Sequence, residues 1–151
     1  MKKISPEGFT LIEILIVIGI LSILILAVFV ALDPISLFAE GRNVRRWNDV
    51  NNITTAIYRS IIDNDVVPSG ITSTEKQLGT ASSGCNSVCT VAASGCLDLS
   101  TTLSKYLPRI PQDPKGGTEA TTYYSVVINS DNVVTVKSCN AENDVEIQIS
   151  R

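Results

Sequence analysis

From Phe9 to Leu32 the chain is one apolar run of Ile, Leu, Val, Phe and Ala, interrupted only by Thr10, Glu13, Gly19 and Ser22. As a helix rising 1.5 Å per residue it would be roughly 36 Å long, enough to cross the hydrocarbon core of a bilayer with some tilt. Because it is apolar all the way round, it predicts a helix in lipid or wholly buried in protein, not one lying on a soluble domain. After Asp33-Pro34 the pattern turns amphipathic. Val50, Ile53, Ile57 and Ile61 recur at steps of three and four, and Val44 and Trp47 extend the stripe upstream, so the helix is expected to continue over residues 33–65. Pro34 removes a backbone donor and should kink it. Asp63-Asn64-Asp65 and then Pro68-Ser69-Gly70 end it.

Beyond that helix the patterning weakens. Residues 69–95 are rich in Ser, Thr, Gly and Ala and read as loop, within a segment 66–121 that is long enough to require a staple or a function. Leu99, Leu103, Tyr106 and Leu107 have helical spacing, with Asp98 or Ser100 as cap and Pro108 as stop. Three strands are predicted over 122–128, 133–137 and 145–149, filling a C-terminal segment 122–151. Asn129-Ser130-Asp131-Asn132 turns between the first two. In the third, Val145, Ile147 and Ile149 alternate with Glu146 and Gln148, as in a half-buried strand. The predicted class is α+β: a long N-terminal helix, half transmembrane and half amphipathic, packed on a small C-terminal antiparallel β-meander. Neither element could bury its apolar face alone.

Charge and composition narrow the chemistry. The 151 residues carry 15 Asp and Glu against 12 Lys and Arg, and no histidine. Acidity argues against a broad phosphate-binding surface. Without histidine there is no Ser-His or Cys-His pair and no imidazole metal ligand, so no enzyme is expected. Arg42, Arg45 and Arg46 beside Trp47 read as a solvated face or a subunit contact next to a core tryptophan, and nucleic acid is not expected as a partner.

Four cysteines, Cys85, Cys89, Cys96 and Cys139, allow three disulfide connectivities, of which Cys85 with Cys89 and Cys96 with Cys139 is preferred here. A zinc site built from all four would lack the usual tight C-x2-C knuckle. Asp131, Asn129 and Asp144 offer oxygens near the strands, but without the dense spacing of a calcium loop, and turn chemistry accounts for them.

Glu13 is the single charge in the apolar run, and a carboxylate there costs a few kcal/mol by insertion scales. Docking against an ammonium on another chain would relieve that cost and fix a register. Lys2 and Lys3 precede the run, and the small-residue boundary Ser5-Pro6-Glu7-Gly8 also lies before it, whereas an ordinary secretory signal is cut after its apolar segment.

The stretch Gly8-Phe9-Thr10-Leu11-Ile12-Glu13 is similar to the processing site of type IV prepilins and of the pseudopilins of type II secretion. That resemblance implies a leader of residues 1–8, cut by a membrane prepilin peptidase between Gly8 and Phe9, with Phe9 then N-methylated. It implies that Glu13 pairs with the amino terminus of a neighbour during filament assembly, and that residues 9–32 form the filament core. The expected function is a structural subunit of a type IV pilus-like filament or secretion pseudopilus. The alternatives are a DNA-uptake or adhesive minor pilin and, from another class, a monomeric membrane-anchored binding domain.

Expected partners are copies of itself, other pilin-like subunits, the peptidase, an inner-membrane assembly platform and membrane lipid. The expected location is the inner membrane in a single pass, amino terminus cytoplasmic and C-terminal domain outside, then a filament at the envelope or surface. Pro111-Gln112-Asp113-Pro114-Lys115-Gly116 with Tyr123-Tyr124 is also similar to a stretch of major pseudopilins, with Lys115 replacing the usual aromatic residue. The helix-plus-meander resembles the pilin "ladle". No cofactor is expected, calcium being the exception that the family admits.

Overall fold

The computed structural model describes residues 8–151, which fall into two units, one ending at Phe38 and one running from Ala39 to Arg151. Lys2, Lys3 and the leader up to Glu7 lie outside the described residues.

In the N-terminal unit, α1 (Leu11–Leu32) is a single helix of 22 residues. All its described side chains are exposed, so no part of the unit covers its apolar surface. Residues 11–31 are long and apolar enough to span a membrane. The hydroxyl of Ser22 donates to the carbonyl of Ile18 at 2.7 Å, which satisfies within the helix a polar group that lipid could not.

The expected kink at Pro34 is a full interruption. α1 ends at Asp33, which adopts a left-handed conformation with φ 38°, and a second helix, α2 (Pro34–Asn64), starts at the proline. Proline bars the preceding residue from helical geometry, yet its fixed φ and missing N–H suit the first position of a new helix. The Asp33 carbonyl accepts from Ser36 and Leu37 N–H at 3.1 and 3.3 Å, closing the first turn of α2.

The second unit, called the head below, is built on the later part of α2. Val50, Ile53, Ala56 and Ile57 are buried against Leu78, Leu99, Leu103, Tyr124, Val126, Val134, Val136 and Ile147. The sheet has four antiparallel strands in sequence order: β1 (Lys76–Gln77), β2 (Tyr124–Ile128), β3 (Val134–Ser138) and β4 (Gln148–Ser150). Tyr124, Val126 and Val136 alternate inward, and the β2–β3 register pairs Val126 with Val136. The turn between them is held by Asn129, whose Oδ1 accepts from the N–H of Asp131 and Val133 at 2.9 and 2.8 Å, with Asn132 at φ 62°. A short α3 (Ser100–Leu103) buries Leu99 and Leu103, and Asp98 accepts from Ser100 N–H at 2.8 Å. This α+β arrangement is the predicted class.

Two expectations for the sheet need correction. β1 lies inside the stretch read as loop, because a strand of two residues is too short to show alternation. β4 begins at Gln148, and Val145 is exposed rather than sharing an inward face with the buried Ile147. Asn143 and Asp144, at φ 59° and 55°, break extended geometry just before Val145.

The cysteines form two disulfides, Cys85–Cys96 and Cys89–Cys139, in place of the preferred local pairing. The backbone explains the exchange. Cys96 N–H donates to Ala81 at 2.9 Å and Cys85 N–H to Ser94 at 3.0 Å, so segments 81–85 and 94–96 run side by side. Cys89, at the tip of that loop, is left to meet Cys139 at the end of β3, with Cα atoms 4.8 Å apart.

In the chain-entropy picture, Cys89–Cys139, which closes 50 residues, contributes about 4 kcal/mol, and Cys85–Cys96, which closes 11, about 3 kcal/mol. Denaturant unfolding of the full chain in detergent should show the Cys89→Ser/Cys139→Ser pair losing more stability than Cys85→Ser/Cys96→Ser. A reversed order would contradict these connectivities.

Candidate functional site

Among the described residues, two places concentrate the polar chemistry that bears on function. The first is the start of α1. Phe9 and Gly8 are exposed and precede the helix. Thr10 is its N-cap, with extended φ −77° and ψ 153°, and its hydroxyl accepts from Glu13 N–H at 3.3 Å. In return, Oε2 of Glu13 accepts from Thr10 N–H at 2.8 Å and from the Thr10 hydroxyl at 2.7 Å.

This reciprocal box satisfies N–H groups that a helix start in lipid leaves without water. It also holds the Glu13 carboxylate at the positive end of the helix dipole, one turn from Phe9. The capping role of Thr10 adds to its place in the Gly8–Glu13 string. The signal was present, since Thr-x-x-Glu ahead of an apolar run is the capping-box pattern.

The second place is in the head and replaces the solvated arginine face. Arg46 is fully buried. Its Nε and Nη2 make a fork onto Asp113 at 2.7 and 3.1 Å, and Nη1 donates to Glu142 at 2.9 Å and to Asn43 at 2.8 Å. Arg42 donates to Glu142 at 2.6 and 2.8 Å, and Lys115 reaches it at 2.7 Å. Asn43 binds the Glu142 backbone in both directions, at 2.8 and 3.1 Å.

The cluster thus ties α2 to the 111–117 turn and to the loop after β3. Asp113 also accepts from Lys115 N–H at 2.8 Å and from Asn140 at 3.1 Å, and a Cβ at Gly117 would collide with the Asp113 backbone. The Pro-Gln-Asp-Pro turn therefore positions a carboxylate for a buried arginine. The expected core stripe through Val44 and Trp47 runs instead through Ala39, Asn43 and Arg46. Val44 and Trp47 are 61% and 42% exposed. Arginine can hold a core position because each of its three guanidinium nitrogens has a partner there.

Three cations around Glu142 hold its carboxyl well below the usual range, chiefly through hydrogen bonds from Arg42, Lys115 and Arg46. A group whose folded pKa is depressed contributes stability above its unfolded pKa and loses it as pH falls towards the folded value. The head's thermal midpoint should therefore fall as pH drops below about 4.3, the ordinary Glu value. It should fall less steeply in Glu142→Gln, and parallel slopes for the two proteins would remove Glu142 from the acid response. Nearby, burial and a 2.8 Å hydrogen bond to Asp49 push the Tyr124 phenol far above its ordinary value, so it donates at any working pH.

Among the described residues no group of three or more His, Cys, Asp or Glu side chains converges as a metal site. Asn129, one of the candidate calcium oxygens, uses its side-chain oxygen to hold its own turn. All four cysteines are paired as disulfides. Gly8, Phe9 and Glu13 lie together at the start of α1.

Residues 6–29 match the family model described as "Prokaryotic N-terminal methylation motif". No curated protein and no solved structure matches the chain. The chain carries the prepilin-type N-terminal motif, in front of and within a helix whose apolar surface nothing in its own unit covers.

Proposed function

We propose that this chain, bearing the N-terminal motif that marks type IV pilins and pseudopilins, is a structural subunit of a pilus-like filament. The observation that carries the reading is the methylation motif at residues 6–29, leading into an uncovered apolar helix with one carboxylate at its start. The motif implies cutting by a prepilin peptidase and assembly with other pilins. In this reading the leader is removed after Gly8, Phe9 becomes the methylated amino terminus, and α1 holds the subunit in the membrane until it enters the filament. The amino terminus is cytoplasmic and the head is outside, where the disulfides are stable.

Moving α1 from lipid into a helical bundle changes little in hydrophobic energy, so packing and charge must supply the specificity. Glu13 supplies the charge: its carboxylate exchanges the Thr10 hydroxyl and N–H for the ammonium of a neighbouring Phe9. The partial Asp-Pro-Lys-Gly and Tyr-Tyr resemblance favours a secretion pseudopilus. The role is structural, and calcium in the head stays a secondary proposal, carried by the family alone.

The test is Glu13→Ala in the native host. The variant should be cut and inserted normally, yet its yield of sheared filament should fall about tenfold or more, the scale of losing a close charge pair. Filament yield equal to wild type would favour a monomeric anchored domain instead.

A further inference from the structure

We propose that Cys89–Cys139 is a site of thiol–disulfide exchange in the folded head, where an external dithiol opens this bond ahead of Cys85–Cys96 and frees residues 86–94 from the sheet. The inference stands on the head alone and does not need the filament reading.

Both Cys89 and Cys139 line a cavity of about 200 Å³. Glu75, Ser125, Lys137 and Ser138 wall it on the sheet side. The Lys137 and Glu75 side chains are 35% and 32% exposed, so the cavity opens to water. Neither Cys85 nor Cys96 lines it. Cys85 is fully buried, and backbone bonds close the neck around Cys85–Cys96, from Cys85 N–H to Ser94 at 3.0 Å and from Cys96 N–H to Ala81 at 2.9 Å. An attacking thiol reaches Cys89–Cys139 through the cavity, but reaches Cys85–Cys96 only by parting that neck. The preference is one of rate: the disulfide that closes the longer loop is the easier to reach.

Little else holds the loop down. Among the described residues, no hydrogen bond or ion pair joins residues 86–94 to the sheet. Their bonds stay within the loop, as where the Ser87 hydroxyl donates to the Gly84 carbonyl at 2.9 Å. Cys89–Cys139 is their covalent tie to the end of β3. The polar groups around it are incompletely satisfied: Ser138 Oγ and both amide atoms of Gln77, which stands opposite Ser125 in the β1–β2 register, are buried without a partner. Such groups are costly to bury, and a lifted loop would let water satisfy them.

The exchange needs only the dithiol as co-reactant. One of its thiolates attacks Sγ of Cys139, which is less buried than Cys89. The disulfide breaks, its electron pair leaves on Cys89 Sγ, which takes a proton, and a mixed disulfide joins the dithiol to Cys139. The second thiolate of the dithiol then attacks its own sulfur in that mixed disulfide, and Cys139 leaves and is protonated. Two electrons and two protons have passed: the dithiol is oxidised to a disulfide, and Cys89 and Cys139 are reduced to thiols. The Lys137 ammonium on the cavity wall stabilises the negative charge on the sulfurs, and the Glu75 carboxylate, 3.3 Å from that ammonium, opposes it.

The experiment exposes the oxidised full chain in detergent to dithiothreitol for graded times, quenches with iodoacetamide and maps the labelled peptides. Cys89 and Cys139 should be alkylated at least about tenfold faster than Cys85 and Cys96. Lys137→Gln should slow that opening about threefold and Glu75→Gln should speed it about threefold, the scale of a partly exposed charge. Both variants break the same ion pair, so a purely structural effect would move them in the same direction. After selective opening, amide hydrogen exchange should rise in residues 86–94 while β2 and β3 keep their protection. Labelling of all four cysteines together, or of Cys85 and Cys96 first, overturns the proposal. So do rates that the two variants leave unmoved or shift the same way, and so does a loop that keeps its protection once the bond is open.

Discussion

Replacing Arg46 by Leu should cost the head about 3–5 kcal/mol, the scale for removing one partner from a buried ion pair. The side chain is fully buried and makes four hydrogen bonds, to Asp113, Glu142 and Asn43. Leucine fills some of the volume but leaves the Asp113 carboxylate, itself nearly fully buried, without its charge partner. Arg46→Lys should cost nearly as much, because an ammonium cannot reproduce the fork onto two carboxylate oxygens. Joint replacement of Arg46 and Asp113 by apolar residues should recover part of the loss. Denaturant unfolding of the full chain in detergent checks all three, and a cost below about 1 kcal/mol for Arg46→Leu would mean the cluster is not a structural tie.

The second large effect is at the proposed cleavage site. A Cβ placed at Gly8 meets no atom of the described residues within 4 Å, so Gly8→Val leaves their fold untouched. Any change in processing then reports the peptidase's need for a residue without a side chain at the scissile bond. Misplacing a reacting bond by about 1 Å costs on the order of a hundredfold in rate, and the processed fraction should fall by at least that. Pulse-labelling followed by intact mass reads it. Normal processing of Gly8→Val would separate this motif from prepilin cleavage.

Much of the architecture was legible because it rests on long periodic signals. The apolar run of α1, the stripe Val50, Ile53, Ile57 and the β2–β3 hairpin each repeat over enough residues to be read from sequence alone. What escaped lies where tertiary contacts override local pattern. Arg46 occupies a core position that no polarity scale assigns to arginine, and it can do so because Asp113 and Glu142 arrive from 67 and 96 residues away. Once Arg46 takes the inward place, Trp47 must turn outward, one position being a rotation of about 100°.

The disulfide pairing also depended on a fold of the loop that its Ser- and Gly-rich composition does not encode. At the candidate site the motif residues Gly8, Phe9 and Glu13 were visible as a local string, whereas the partnership of Thr10 with Glu13 required reading the same string as a helix cap.

In the filament reading proposed above, the chain is cut and methylated before it acts. The most direct measurement is the intact mass and N-terminal peptide of the protein from native membranes, with and without reduction. The expected result is N-methyl-Phe9 as the first residue and a rise in mass on reduction equal to opening two disulfides. Retained Met1 with an unmodified leader would contradict it and leave an N-terminally anchored membrane protein with no route into a filament.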